Sequence, residues 1–219
     1  MYETSIEIYY KDMKNQTEYK EGYSPFNEAA KALEKQYTQG EGYSYGVELF
    51  VNKTYGKLTG WVGYTLSWTR RTFPELNNGM EFPAKHDRRH DISIMLSYDI
   101  LPQLSASFVW VYATGNTMTI PVGVYFIGWN MVTQHSDQNA FRVPPYHRMD
   151  ISINWIVKRT ERFENSLNFS IYNVYNRRNP FFITIGSRFS QDKLEITNTG
   201  YQMSLFPIIP SVTWNFKFK

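Results

Sequence analysis

The 219 residues hold 23 Lys and Arg against 20 Asp and Glu, a formal charge of +3, with 17% aromatics and no cysteine, and the mean hydropathy is −0.47. Scattered charge excludes a nucleic-acid arm or a polybasic membrane patch, and the missing cysteines exclude disulfides and thiolate metal sites. A helical span needs about 20 consecutive apolar residues, and none exists; the longest stretch without Asp, Glu, Lys or Arg, Ile100 to Ser136, is broken by Pro102, Gly115, Asn116 and Pro121.

The chain opens by alternating. In ETSIEIYYKD, Ile6, Ile8 and Tyr10 share one face and Glu7, Tyr9 and Lys11 the other, the period of a strand. MYETSIEIYYKDM lacks the basic start and continuous apolar core of a secretory leader. Next comes SPFNEAAKALEKQYTQG, with Ser24 as N-cap, Pro25 as first helical residue and Gly40 as stop, which predicts a short helix.

Alternation then returns. YSYGVELFVN sets Tyr45, Val47, Leu49 and Val51 on one face, and KLTGWVGYTLSWTRR sets Leu58, Val62, Tyr64, Leu66 and Trp68 opposite Thr59, Trp61, Gly63, Thr65, Ser67 and Thr69. Lys57 to Phe73 reads as one strand of 17 residues, long enough to project beyond a bilayer that roughly 9–11 tilted residues cross. DISIMLSYDI, LSASFVWVYAT, RMDISINWIVK and SLNFSIYNVY follow, the last with a phase slip near Asn173 that predicts a bulge. PSVTWNFKFK closes the series with Val212, Trp214, Phe216 and Phe218 on one face. These segments predict about eight strands.

Connections alternate as well. Residues 54–57, 101–103 and 160–164 are short; 13–42, 73–87, 115–146 and 186–200 are long. Tight turns at one rim and long loops at the other are the layout of an up-and-down membrane barrel. Polar faces of Thr, Ser, Asn and Gly, and apolar faces with aromatics near the ends, put lipid outside and water or polar protein inside.

The pieces YSYGVELFVNKTYGKLTGWVGYTLSWT, FPAKHDRRHDISI, YATGNTMTIP, YHRMDISINW, SIYNVYNRRNPFF and SLFPIIPSVTWNFKF come in an order that resembles the C-terminal third of TonB-dependent outer-membrane receptor barrels. The likeness is greatest to receptors with a carboxypeptidase-regulatory-like N-terminal domain. It implies an all-β, antiparallel up-and-down transmembrane barrel in a Gram-negative outer membrane. These strands would be about eight of a larger barrel of about 22. It further implies a plug domain in the lumen, a ligand bound at the extracellular rim, and the TonB protein acting through the plug rather than this segment. The ligand class is open: metal chelate, vitamin, glycan or peptide. Residues 1–219 are therefore expected to be the C-terminal part of such a barrel, a fragment without its plug, whose Met1 is internal. A free-standing small barrel acting as adhesin or structural protein is the alternative. One departure is at the C-terminus, where Lys219 follows the expected terminal aromatic, Phe218.

Candidate site residues sit near the long-loop ends. Arg89 with Asp91, and Arg148 with Asp150, are read as ion pairs across the wall or as a polar rim guiding an anionic ligand, and Arg71 is a further ligand-binding candidate. Tyr125, Phe126 and Trp129 in the 115–146 loop are candidates for stacking on a ligand. HDRRHD places His86 and His90 four apart, but it enters a strand and HExxH is absent, so no metal is expected. No GxSxG or paired carboxylate marks a catalytic centre, and no cofactor or nucleic acid is expected. The expected partners are outer-membrane lipid, the plug and remaining strands of the same receptor, and a small-molecule ligand.

Overall fold

The computed structural model describes residues 1–20, 36–190 and 195–218. In chain order the strands are β1 (Tyr2–Tyr19), β2 (Tyr37–Lys53), β3 (Leu58–Thr72), β4 (Phe82–Pro83), β5 (His90–Leu101), β6 (Leu104–Ala113), β7 (Thr117–Met118) and β8 (Pro121–Ile127). They continue as β9 (Asn130–His135), β10 (Phe141–Arg142), β11 (Tyr146–Arg159), β12 (Phe163–Tyr172), β13 (Phe182–Ser190), β14 (Glu195–Met203) and β15 (Ile209–Phe218). Eight of them form one antiparallel path, β1-β2-β3-β5-β6-β11-β12-β15, with β4 added beside β3 above β5. Among the described residues nothing pairs with the outer edges of β1 and β15, so the sheet is an arc of barrel wall and does not close.

The expected strand phases hold. In the interior strand β11, Ile151, Ile153 and Trp155 are 39%, 47% and 46% exposed while Ser152 and Asn154 between them are half-buried, so the greasy face turns outward rather than into a core. Left in water, so large a continuous apolar surface would aggregate; it needs lipid. Aromatic rings border it. Tyr10, Tyr43, Tyr45 and Trp68 stack in series toward the long-loop end, with centroids 6.3, 6.2 and 5.1 Å apart. Trp155, Phe163, Trp214, Phe216 and Phe218 lie toward the short turns.

The inward face is small and polar. Thr59, Ser97, Ser107, Ser152, Ser170 and Ser211 stand in one unbroken register across six strands. The hydroxyls of Ser170 and Ser211 bond at 2.7 Å. Such a wall fills little volume and suits a wide lumen.

Tight turns tie the short-loop end. The β2–β3 turn has Gly56 at φ +100°, and Lys53 Nζ donates to the carbonyls of Tyr55 and Leu58. Only Pro102 and Gln103 separate β5 from β6. The long loops carry more structure than expected. β1 and β2 run on through the ends of the 13–42 loop, the 115–146 loop contains hairpin β8–β9 inside the pair β7–β10, and β13 pairs with β14.

Two expectations differ. Residues 24–35 of the expected helix lie outside the described residues, but Tyr37 and Gly40 belong to β2, paired with Tyr19 and Gln16. A Cβ on Gly40 would fall against the Phe73 ring and Thr72 carbonyl, so this glycine serves close packing rather than a helix stop. Near Asn173 there is no bulge: β12 ends at Tyr172 and Asn173 turns the chain at φ +54°.

Gly60 tests the wall directly. It lies in β3 at φ +139°, and a Cβ there would strike the carbonyl oxygen of Met95 on β5. Gly60→Ala in the full-length protein is expected to cost about 1–3 kcal/mol and to lower the heat-modifiable fraction in the outer membrane.

Candidate functional site

Tight packing in this protein is at the long-loop rim. Phe73, Leu76 and Phe82 are at most 2% exposed and form the apolar cluster of the rim. Phe73 is where β3 leaves the wall, and its ring meets Phe82 of β4 at 6.0 Å.

Asp87, 1% exposed, is the first hub. Thr69 N–H of β3 donates to its Oδ1 at 2.8 Å; Arg142 Nη2 of β10 and Arg89 Nη2 approach its Oδ2 at 2.6 and 3.3 Å. Arg142 also donates to the Asp87 and Gly115 carbonyls. A buried carboxylate is tolerated only when paired and hydrogen-bonded, and here two guanidinia and a backbone amide do both. Thr117 Oγ1 donates to the Ala84 carbonyl at 2.8 Å, and Asn139 Nδ2 to that of Pro83 at 2.9 Å. The β3–β5 and β6–β11 connections are thereby fastened into one body.

Asn173, fully buried, is the second hub. Its Nδ2 donates to the carbonyls of Arg177 and Phe206 at 2.9 and 3.1 Å, its Oδ1 accepts from Arg177 N–H at 3.0 Å, and its own N–H donates to Asp150 Oδ1 at 2.8 Å. Asn179 repeats the device: Oδ1 accepts from His147 N–H and Nδ2 donates to the His147 carbonyl, at 3.0 and 2.9 Å. Partial burial pushes the Tyr175 hydroxyl above its ordinary range; it stays protonated and lies 2.8 Å from His147 Nδ1.

The expected site residues divide among three places. Arg148 and Asp150 do come together, Nη2 to Oδ2 at 2.9 Å. Arg148 also donates to the Tyr146 and Tyr172 hydroxyls at 2.9 and 2.8 Å, and lies over the Tyr172 ring at 4.2 Å. Arg89 and Asp91 do not pair. Arg89 goes to Asp87 and covers the outward Trp68 ring at 4.4 Å rather than joining the polar face, while Asp91 has Arg88 at 3.8 Å. The reason is burial: Asp87 is sealed under the loops and must be neutralised, whereas Asp91 is half-exposed.

Arg71 faces inward at the top of β3, its Nη1 3.2 Å from Glu18 Oε2, with its buried Nε making no hydrogen bond. Tyr125 and Trp129 belong to hairpin β8–β9, where Trp129 stands fully exposed at the tip beside Gly128 at φ +62°. On the inner wall a shallow cavity of about 340 Å³ is lined by Glu7, Glu48 and Asp91 among others, with Glu7 directly opposite Glu48. Like charges facing each other across strands repel. Among the described residues no cluster of His, Asp and Glu has metal-binding geometry.

Residues 2–174 match the family described as TonB-dependent receptor-like, β-barrel. The chain belongs to that family. No curated protein and no solved structure matches it. A TonB-dependent receptor barrel lies in the outer membrane, so the outward rows of Ile, Val, Leu and Trp are its lipid face and the long loops its extracellular rim. The match ends just past β12, and hairpin β13–β14 and β15 lie beyond it.

Sequence reasoning missed Asp87, Arg142, Asn173 and Asn179. The asparagines had a signal, since YNVYNRRNP spaces Asn173, Asn176 and Asn179 as turn residues do. Arg142 had none, its partner being 55 residues away.

Two substitutions in the full-length receptor test these hubs. Asp87→Ala leaves two guanidinia without their carboxylate and is expected to cost the rim about 3–5 kcal/mol. Limited proteolysis should then cut residues 115–145 faster while the wall stays heat-resistant. Asn173→Ala loses the three side-chain hydrogen bonds and strains the positive φ, whereas Asn173→Gly loses the same bonds but keeps the turn. Alanine is therefore expected to destabilise the rim more than glycine, read by the same proteolysis.

Proposed function

We propose that this chain forms the C-terminal wall and extracellular ligand-gating loops of a receptor that imports a scarce nutrient, a metal chelate, vitamin, glycan or peptide. The observation that carries this reading is the family membership of an eight-stranded wall whose two edges are both unpaired among the described residues. An open edge in a bilayer leaves a row of backbone groups with neither water nor partner, at several kcal/mol each. Further strands of the same receptor meet that need, and a plug fills the lumen that the small inward residues leave wide. The Glu7–Glu48 pair is relieved where the plug brings a cation against it. TonB then acts on the plug, so this segment alone does not transport. The protein is read as a transporter, not an enzyme.

A second reading, a free-standing barrel serving adhesion, would need β1 and β15 to pair with each other.

The mass of the native polypeptide in the outer-membrane fraction of its source cell separates the two. The receptor reading expects several times the mass of these 219 residues, and uptake that stops when the proton gradient is collapsed. A native chain of this length alone would overturn it in favour of the free-standing barrel.

A further inference from the structure

We propose that Trp110, Tyr175 and His147 form a pH-sensitive latch, which holds the turn 173–181 against β11 while His147 is neutral and loosens it when His147 is protonated. The latch depends on the fold of the rim and not on which ligand is carried. His147 stands at the rim end of β11, on the outward face, directly opposite Tyr112 of β6. Its backbone N–H and carbonyl are both clasped by the Asn179 amide. Its ring lies on Tyr112 at 6.4 Å and tilts against Tyr175 at 5.5 Å. His147 thus holds the turn through side chain and backbone together. The turn in turn carries hairpin β13–β14, since Phe181 N–H donates to the Met203 carbonyl at 2.9 Å.

The direction of the hydrogen bonds fixes the protonation state. The Trp110 indole N–H can only donate, and it donates to the Tyr175 hydroxyl. The Tyr175 proton then points to His147 Nδ1, 2.8 Å away. Nδ1 must be bare to accept it, so the imidazole is neutral with its proton on Nε2. A proton added at Nδ1 sets N–H against O–H. The Tyr175 hydroxyl must then turn its own proton away, and it loses its acceptor on the wall.

The groups packed around His147 oppose that proton as well. From the turn, Arg177 brings a guanidinium, itself held by Asn179 Oδ1 at 3.2 Å and the Pro145 carbonyl at 3.0 Å. From β6 comes the uncharged Tyr112 ring. On its own strand Tyr146, Arg148 and Asp150 turn to the inner face, where Arg148 and Asp150 pair at 2.9 Å. Among the described residues no carboxylate lies within ion-pairing distance of His147. Burial, and then the Arg177 charge, hold the imidazole below its ordinary range. The closed latch therefore binds fewer protons than the open turn. Its stabilisation is complete above about pH 6.5, the ordinary histidine value, and is lost as the pH falls below it.

The test is hydrogen exchange of the full-length receptor in phosphatidylcholine nanodiscs, read as protection of residues 174–181 after correction for the intrinsic pH dependence of exchange. Protection is expected to fall about fivefold, the worth of about one net hydrogen bond, between about pH 7.5 and 5.5, while β11 and β12 keep theirs. His147→Gln cannot titrate, yet its oxygen can still accept from Tyr175, and it is expected to flatten the profile. If that variant fails to fold, Tyr175→Phe is read instead; it is expected to lower protection at neutral pH and to shrink the acid drop. Equal protection at both pH values in the wild type overturns the proposal. A drop that His147→Gln retains also overturns it, in favour of another titrating group. So does an equal drop in β11 and β12, which marks loosening of the whole wall rather than release of a latch.

Discussion

In hydrocarbon a backbone amide or carbonyl has no water to turn to, and every strand of this wall is arranged around that constraint. Within the arc each strand pairs with its neighbours, and among the described residues the outer edges of β1 and β15 are left open. β11 pairs with β6 through ten consecutive positions and β12 with β15 through ten. Once the ladders are complete, alternation decides the rest. The face toward lipid carries Ile, Val, Leu and aromatics, and the face toward the lumen carries hydroxyls and amides. The wall is a soluble sheet turned inside out, and so it has no core of its own.

That inversion explains where tight packing does occur. Among the described residues the largest buried side chains lie where the chain folds over itself outside the bilayer, at the long-loop rim. There Phe73, Leu76 and Phe82 exclude water, and the buried Asp87 and Asn173 fasten connections far apart in sequence. The two hubs work differently. Asp87 holds through charge, two guanidinia on one carboxylate. Asn173 holds through shape, an amide that reproduces backbone hydrogen bonds at a residue whose positive φ asparagine tolerates.

The wall was legible in the sequence because its signal is local. A period of two, repeated between turns, needs no knowledge of partners, and Ile6, Val47, Leu66, Ile94 and Trp155 all lie on the face their alternation assigns. The rim was much less legible because its interactions are not local. HDRRHD offered Arg89 and Asp91 as a pair; burial of Asp87, invisible in a string, redirected Arg89. SPFNEAAKALEKQYTQG carried N-cap, proline and glycine signals, yet β1 claims its last residues because pairing over a long ladder outweighs a local stop signal. Gly40 was correctly seen as special and wrongly explained.

The rim also divides its polar groups by task. Arg89, Arg142, Arg148 and Arg177 are spent on carboxylates, hydroxyls and carbonyls of the rim itself. A guanidinium held by two or three partners positions loops well, and it would have to break those bonds to grip a ligand. What remains presented outward is different in kind. Trp129 stands free at the tip of a hairpin whose parent stretch, Ile100 to Ser136, carries no Lys, Arg, Asp or Glu. Lys85 and His86 are exposed in the loop leading into β5. An internally neutralised rim therefore presents two exposed features of opposite character, an uncharged aromatic tip and a lysine that no carboxylate among the described residues pairs. Contacts made by the first depend on stacking and persist in salt; contacts made by the second weaken as salt screens them. Salt dependence thus distinguishes which surface a given molecule uses at this rim.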